Sequence, residues 1–332
     1  MPSFTVFKGS KDGSIVKSQT TRPDLKDDEV LVKVTASGIC GTDEHYKQQD
    51  MVLGHEGVGV VEQIGAKVSM FKKGDRAGWG YVHDSCGHCE WCLTGRDNYC
   101  AERVMYGEGD LDQGSFGTHA VWKESFLFKV PENLTDAEAA PLMCGGATVW
   151  TALQMYDIKP TDRVGVMGVG GLGHLAIQFA SKMGCDVVVF SGTESKKEEA
   201  MKLGATKFVA LKGKTELDIG RKLNALLVTT SAQPDWPLIL PVMGPDSTIF
   251  PLTVAQGEFI IPYMPLILKG LRIQGTVVAP RVIHRQMLQF AGLHNIKPIN
   301  MEFPLTQEGI TEAMGTLRDG KMRYRGVLIP QN

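Results

Sequence analysis

Residues Arg163–Met183 read RVGVMGVGGLGHLAIQFASKM, a short apolar strand pattern running straight into a glycine loop and then a helical pattern. Leu172, Leu175, Ala176, Phe179, Ala180 and Met183 recur at helical spacing, so the glycines of GVGGLG stand at a strand-to-helix turn. A second strand pattern, Asp186–Phe190 (DVVVF), follows. A lone GxGxxG is weak evidence, but strand before, helix after and a second strand are the context that a dinucleotide fingerprint requires. Gly168 allows the tight turn, Gly170 lets the backbone approach a pyrophosphate and Gly173 lets helix pack on strand. Gly171 and Leu172 sit at the helix N-terminus that faces the phosphates. The alternation continues through SKKEEAMKLG, KFVAL, Ala225–Thr230 (ALLVTT), STIF with Pro251 and Leu252, and Leu271–Gly275 (LRIQG). That makes six strands with crossovers, and it predicts an α/β, doubly wound parallel (Rossmann) domain over roughly residues 148–277.

The rest of the chain is bounded by its length and charge. At 332 residues and 43% hydrophobic content it can bury a large core, and its length favours two domains. A formal charge of −2 with no Lys/Arg block leaves no electrostatic footprint for nucleic acid or an anionic membrane. The N-terminus has no signal-peptide pattern and no run of eighteen apolar residues occurs, so the expectation is a cytoplasmic protein. Thiols stay reduced in that compartment, which turns clustered cysteines toward metal rather than disulfides.

Four of the seven cysteines fall in CGHCEWCLTGRDNYC, at Cys86, Cys89, Cys92 and Cys100. Four thiolates able to surround one point, with no position open for water, describe a structural zinc site. Cys40 lies in ASGICGTDEHY, just after the strand pattern Glu29–Thr35. His55 and Glu56 follow Gly54, and Cys144 lies far along in PLMCGGATVWTAL. Cys40, His55 and Cys144 would form the three-ligand set of a catalytic zinc with one position free. Glu56 would either close that position or stand behind it. Taken singly, each has an ordinary reading as a core thiol, a turn histidine or a solvated charge.

The string GHEGVGVVEQIGAKV resembles the signature of the zinc-containing alcohol dehydrogenases of the medium-chain dehydrogenase/reductase superfamily, through His55, Glu56, Gly59, Gly65 and Val68. GICGTD resembles that family's first-ligand motif and the cysteine lobe its structural-zinc lobe, in order from about residue 25 onward. The resemblance implies two zinc ions per chain. Cys40, His55 and Cys144, with Glu56, would serve the catalytic ion, and Cys86, Cys89, Cys92 and Cys100 the structural one. It also implies that residues 1–147 and 278–332 join as one discontinuous, mainly β (GroES-like) catalytic domain carrying the lobe 86–100, with the site in the cleft beside the coenzyme domain. Thr42 would accept the substrate proton and His45 would pass it to solvent. Thr148 would touch the nicotinamide, Arg325 would reach the pyrophosphate, and Trp79, Tyr81 and Val82 would line the substrate pocket. A homodimer or homotetramer acting on a small alcohol or aldehyde completes the expectation.

An NAD enzyme places Asp or Glu at the end of the second strand to bind the ribose 2′-hydroxyl. Here Ser191 stands in that place, with Thr193, Ser195, Lys196 and Lys197 close behind, so NADP(H) is expected over NAD(H). Glu194 is the residue that could reverse this by turning inward. Several segments depart from the family pattern: KQQDMVL after Tyr46 is short, PDST stands before the fifth sheet strand, and TTSAQPDW follows the fourth. The competing readings are a non-catalytic zinc- and nucleotide-binding protein and an NAD-dependent dehydrogenase of a polyol or secondary metabolite.

Overall fold

The strand that begins at Glu29 runs to Ile39, beyond the EVLVKVT pattern, because Ala36, Ser37, Gly38 and Ile39 are all buried and keep pairing on both sides. In this computed structural model, which describes residues 1–255 and 257–331, that strand lies in the first of two compact units, Met1–Ala147 with Val278–Asn332. The second unit is Thr148–Val277.

The first unit is built on a seven-stranded sheet ordered Asn300–Pro304, Arg325–Ile329, Glu29–Ile39, Gly57–Ile64, Arg76–Trp79 and Phe128–Lys129, with His119–Lys123 also pairing Glu29–Ile39. Arg325–Ile329 is an interior strand, antiparallel to Glu29–Ile39 with Val327 opposite Gly38, and parallel to Asn300–Pro304. Its side chains Val327 and Leu328 are fully buried. The sheet delivers two loops to one place: Glu29–Ile39 ends at Cys40, and Gly57–Ile64 begins after His55 and Glu56. Gly54 turns the chain into that second segment at φ +92°, a conformation open to glycine. Gly38 is needed for a different reason, since a Cβ there would lie 1.9 Å from Glu56 Oε2.

One side chain expected elsewhere belongs to this core. Trp79, expected at the substrate pocket, is fully buried with its ring against Trp122 at 5.4 Å, and it fills the space a Cβ on Gly57 would take. The cysteine lobe is tied to helix Arg281–His294 by Asp97, buried to 3% exposure, whose Oδ2 pairs with Arg281 Nε at 3.2 Å.

The second unit is a six-stranded, all-parallel sheet ordered Lys207–Ala210, Asp186–Ser191, Arg163–Met167, Leu223–Val228, Met243–Pro251 and Arg272–Ile273. This is the doubly wound order, reversing beside the first strand. The fourth strand ends at Val228, leaving Thr229 and Thr230 in the loop, and the sixth is confined to Arg272–Ile273. PDST lies inside the fifth strand rather than ahead of it, and Asp246 there takes φ 55°, where a glycine would carry no strain. Trp236 is a core side chain, packed with Phe190, Ile239 and Ile249. Among the described residues no helix is long and apolar enough to cross a membrane.

Candidate functional site

Cys40 Sγ, a His55 ring nitrogen, a Glu56 carboxylate oxygen and Cys144 Sγ all lie within 4.8 Å of one another. They come from three separate stretches. Cys40 precedes helix Gly41–Tyr46, His55 and Glu56 precede the strand Gly57–Ile64, and Cys144 sits between the turn Ala140–Met143 and helix Gly145–Gln154. His55 and Glu56 are fully buried and Cys144 is 8% exposed.

His55 is oriented by Asp43, a residue that the motif reading passes over. Asp43 is fully buried, its Oδ1 lies 2.9 Å from His55 Nδ1, and its Oδ2 accepts the Cys40 backbone N–H at 2.9 Å. A carboxylate only accepts, so Nδ1 carries the proton and Nε2 turns its lone pair toward the sulfurs. Nε2 is buried with no hydrogen-bond partner. Burial alone would pull His55 down, yet Asp43 and the Cys40 sulfur raise it well above its usual range, so a proton or a metal ion at Nε2 is strongly favoured. Cys40 is held well below the ordinary thiol range by its contact with Cys144, against burial and helped by His55, while Cys144 is pushed up by Cys40 and by burial. The signal for Asp43 was present in sequence, because an acid three residues after Cys40 is positioned to cap the helix that starts there.

Glu56 stands over this group with its carboxylate divided. Oε1 accepts from Arg325 Nη2, and Oε2 is buried without a partner. Burial pushes Glu56 up to about 7 even against the neighbouring guanidinium. Arg325, expected at the pyrophosphate, does not lie on the surface. It is 6% exposed, in the interior strand Arg325–Ile329, and paired with a carboxylate inside its own unit. A guanidinium left unpaired there would carry a large desolvation cost, which Glu56 offsets.

Thr42 Oγ1 lies 3.7 Å from Cys40 Sγ, and His45 is exposed in the last turn of the same helix. Tyr106, 1% exposed, tilts over His55 at 4.7 Å between ring centroids, and its hydroxyl accepts the Gly54 N–H at 2.9 Å. Tyr81 meets His55 edge-on at 5.5 Å. No motif pointed to Tyr106.

In the lobe, the sulfurs of Cys86, Cys89, Cys92 and Cys100 also lie within 4.8 Å of one another, Cys100 Sγ standing 3.6 Å from Cys86 Sγ. Both clusters offer donor sets that suit zinc, all-thiolate in the lobe and mixed sulfur and nitrogen at Cys40, His55 and Cys144. The orphaned Nε2 and Oε2 are what a cation would engage.

In the second unit Gly168 has φ +96°, and a Cβ on Gly173 would lie 2.0 Å from the Gly168 carbonyl oxygen, while one on Gly170 would meet nothing. Leu172 opens helix Gly173–Met183 without a side-chain cap, leaving the Gly171–Gly173 end to backbone N–H groups. Ser191 ends its strand, and Lys196 Nζ donates to the Val169 carbonyl at 2.7 Å, inside the glycine turn. Thr193 and Ser195 hydroxyls are 2.9 Å apart. Glu194 does not turn inward: it pairs with Lys197 at 3.2 Å, both side chains more than half exposed. Thr148 is buried to 9% exposure in helix Gly145–Gln154.

Two family models match the chain, "Alcohol dehydrogenase GroES-like domain" over residues 26–132 and "Zinc-binding dehydrogenase" over residues 171–292. Cinnamyl alcohol dehydrogenase 8 of Arabidopsis thaliana is 32% identical over 336 residues, covering 96% of this chain and 93% of the relative. The probable formaldehyde dehydrogenase AdhA of Bacillus subtilis is 34% identical over 326 residues, covering 93% of each. A solved cinnamyl alcohol dehydrogenase of Sorghum bicolor superposes with a TM-score of 0.90 at 30% identity, covering 99% of this chain and 98% of that one. Fold and family thus define an alcohol-dehydrogenase type of oxidoreductase acting on small molecules. The chain belongs to the zinc-binding alcohol dehydrogenases of the medium-chain dehydrogenase/reductase superfamily.

Proposed function

We propose that the protein is a zinc-dependent alcohol dehydrogenase/aldehyde reductase that moves hydride between NADP(H) and a primary or secondary alcohol or its carbonyl, with two zinc ions per chain. One observation carries the reading: donors from three distant stretches converge within 4.8 Å, and His55 Nε2 and Glu56 Oε2 are left buried without partners. When bound, zinc polarises a substrate oxygen and lowers an alcohol's pKa, and the nicotinamide exchanges hydride. Cys40, His55 and Cys144 hold the ion, and Asp43 keeps His55 in the tautomer that can ligate. Glu56, fastened by Arg325, supplies a carboxylate beside it. Thr42 accepts the substrate proton, and His45, exposed one turn later, releases it to solvent.

NADP(H) is favoured because Ser191 removes the acid that would repel a 2′-phosphate, Lys196 places an ammonium at the glycine turn, and Glu194 is engaged outward. The two relatives' names, cinnamyl alcohol and formaldehyde, fit a small alcohol or aldehyde without choosing one. A homodimer or homotetramer is part of the same reading, supported by exposed Ile260, Tyr263, Ile267 and Leu268 close to the edge strand Arg272–Ile273.

The test is NADPH and NADH oxidation against aliphatic, aromatic and cinnamyl-type aldehydes, with zinc counted in the same sample. Two zincs per chain and a catalytic efficiency at least about tenfold higher with NADPH are expected, and Ser191→Asp should reverse the preference. A tenfold preference of the unmodified enzyme for NADH overturns the coenzyme assignment. Two zincs with no turnover on any aldehyde overturn the catalytic one.

A further inference from the structure

The segment TTSAQPDW, Thr229–Trp236, has no part in the chemistry above, yet its Gln233 makes bonds that few exposed side chains make. Gln233 Nε2 donates to the Glu258 carbonyl, and Oε1 accepts the Ile260 N–H at 2.9 Å. Trp236 adds its indole N–H to the same Oε1 at 3.5 Å and meets Phe259 edge-on with ring centroids 5.3 Å apart. One carboxamide therefore ties together the loops that follow Leu223–Val228 and Met243–Pro251.

Those loops wall a cavity of about 430 Å³ at the carboxyl ends of the two strands, bounded by Val228, Thr230, Gln233, Pro251, Thr253 and Glu258. Thr253 Oγ1 is buried there without a hydrogen-bond partner. Thr230 also backs the glycine turn, since a Cβ on Gly168 would lie 2.6 Å from its Cγ2. A dinucleotide whose pyrophosphate rests on a turn of this kind extends across the carboxyl ends of the neighbouring strands. The adenosine half lies toward Ser191, on the other side of the first strand, so this cavity falls to the second nucleoside.

We infer that Gln233 is a positioning residue for the nicotinamide–ribose half of the coenzyme, fixing the spacing of the two loops between which that half binds. The inference rests on the reading that the glycine turn holds the coenzyme. Without the carboxamide, the loops must be ordered at the moment of binding, and that ordering cost falls on the half of the ligand they enclose.

The experiment titrates the full-length protein with whichever nicotinamide dinucleotide it binds and with the matching ADP, 2′-phosphorylated for NADP, which lacks the whole nicotinamide–ribose half. Gln233→Ala should weaken the intact dinucleotide about tenfold and leave the ADP fragment within about twofold. Gln233→Glu keeps the acceptor for Ile260 and loses the donor to Glu258, so it should fall between the two; it also serves if the alanine variant does not fold. Equal weakening of both ligands, or no change in either, overturns the assignment. An unmodified protein that binds neither dinucleotide overturns the coenzyme reading itself, and the role of Gln233 with it.

Discussion

Asp43 holds His55 by its inner nitrogen: Oδ1 lies 2.9 Å from Nδ1, and neither side chain has any exposed surface. Asp43→Asn keeps the shape and removes the charge that fixes the tautomer. Partners of metal-bound histidines typically contribute about 10–100-fold to metal affinity. The variant should lose one zinc per chain to a chelator at a concentration about 10–100-fold lower than the unmodified protein requires. The lobe zinc should be retained in both, and it serves as an internal standard when zinc is counted.

The Glu56–Arg325 pair makes a prediction about stability. Arg325→Met leaves a buried carboxylate with no counter-charge and should cost about 3–5 kcal/mol in urea unfolding. Glu56→Gln combined with Arg325→Met should recover most of that loss, because two apolar or neutral groups need no compensation. A double variant no better than Arg325→Met would show that the arginine acts through something other than Glu56.

His284 gives the pH dependence. It is 3% exposed and stacked on Phe128 at 3.8 Å, and burial, with Arg285 adding to it, pushes it down to about 3. The unfolded chain therefore binds one more proton than the folded chain between about pH 6.5 and pH 3. Its contribution is complete above pH 6.5 and declines by about 1.4 kcal/mol per unit as pH falls below that. His284→Phe keeps the stack and removes the proton, so its urea midpoint should fall less steeply between pH 7 and pH 5. Parallel slopes would exclude His284 as the source.

The lobe should respond to loss of one ligand without disturbing the other cluster. Cys100→Ser should drop zinc by one ion per chain and lower the melting temperature, since Asp97, inside the lobe, is the partner of Arg281 on helix Arg281–His294. Zinc at Cys40, His55 and Cys144 should survive, and mass spectrometry of the native protein reads both counts.

What the sequence disclosed follows from the range of its signals. The glycine turn and its flanking strand and helix are local, so spacing alone marks them. The metal groups needed side-chain chemistry as well as spacing, and in the three-stretch group each residue taken singly kept an ordinary reading until the family signature joined them. Arg325 illustrates the limit: its partner is 269 residues away, and nothing in RYRGVLIP distinguishes an arginine that will be buried on a carboxylate from one that reaches a ligand. Trp79 illustrates another, because an aromatic beside a motif looks the same whether it faces a pocket or Gly57 and Trp122. Gln233 was hidden in a segment whose composition matched no pattern.

The interior position of Arg325–Ile329 also sets an order of events during synthesis. Of the described strands this one is made last, yet it must enter between Asn300–Pro304 and Glu29–Ile39, the latter made nearly 300 residues earlier. Until it does, the Ser37–Ile39 end of the long strand lacks a partner on that side, since His119–Lys123 covers only Glu29–Lys33, and Glu56 has no guanidinium beside it. The parallel sheet of Thr148–Val277, by contrast, is translated as one uninterrupted stretch and can close on itself first. A nascent chain of this protein is therefore open to faulty pairing at Ser37–Ile39 until Arg325–Ile329 docks, and a chaperone that shields that stretch for as long would raise the yield of folded protein.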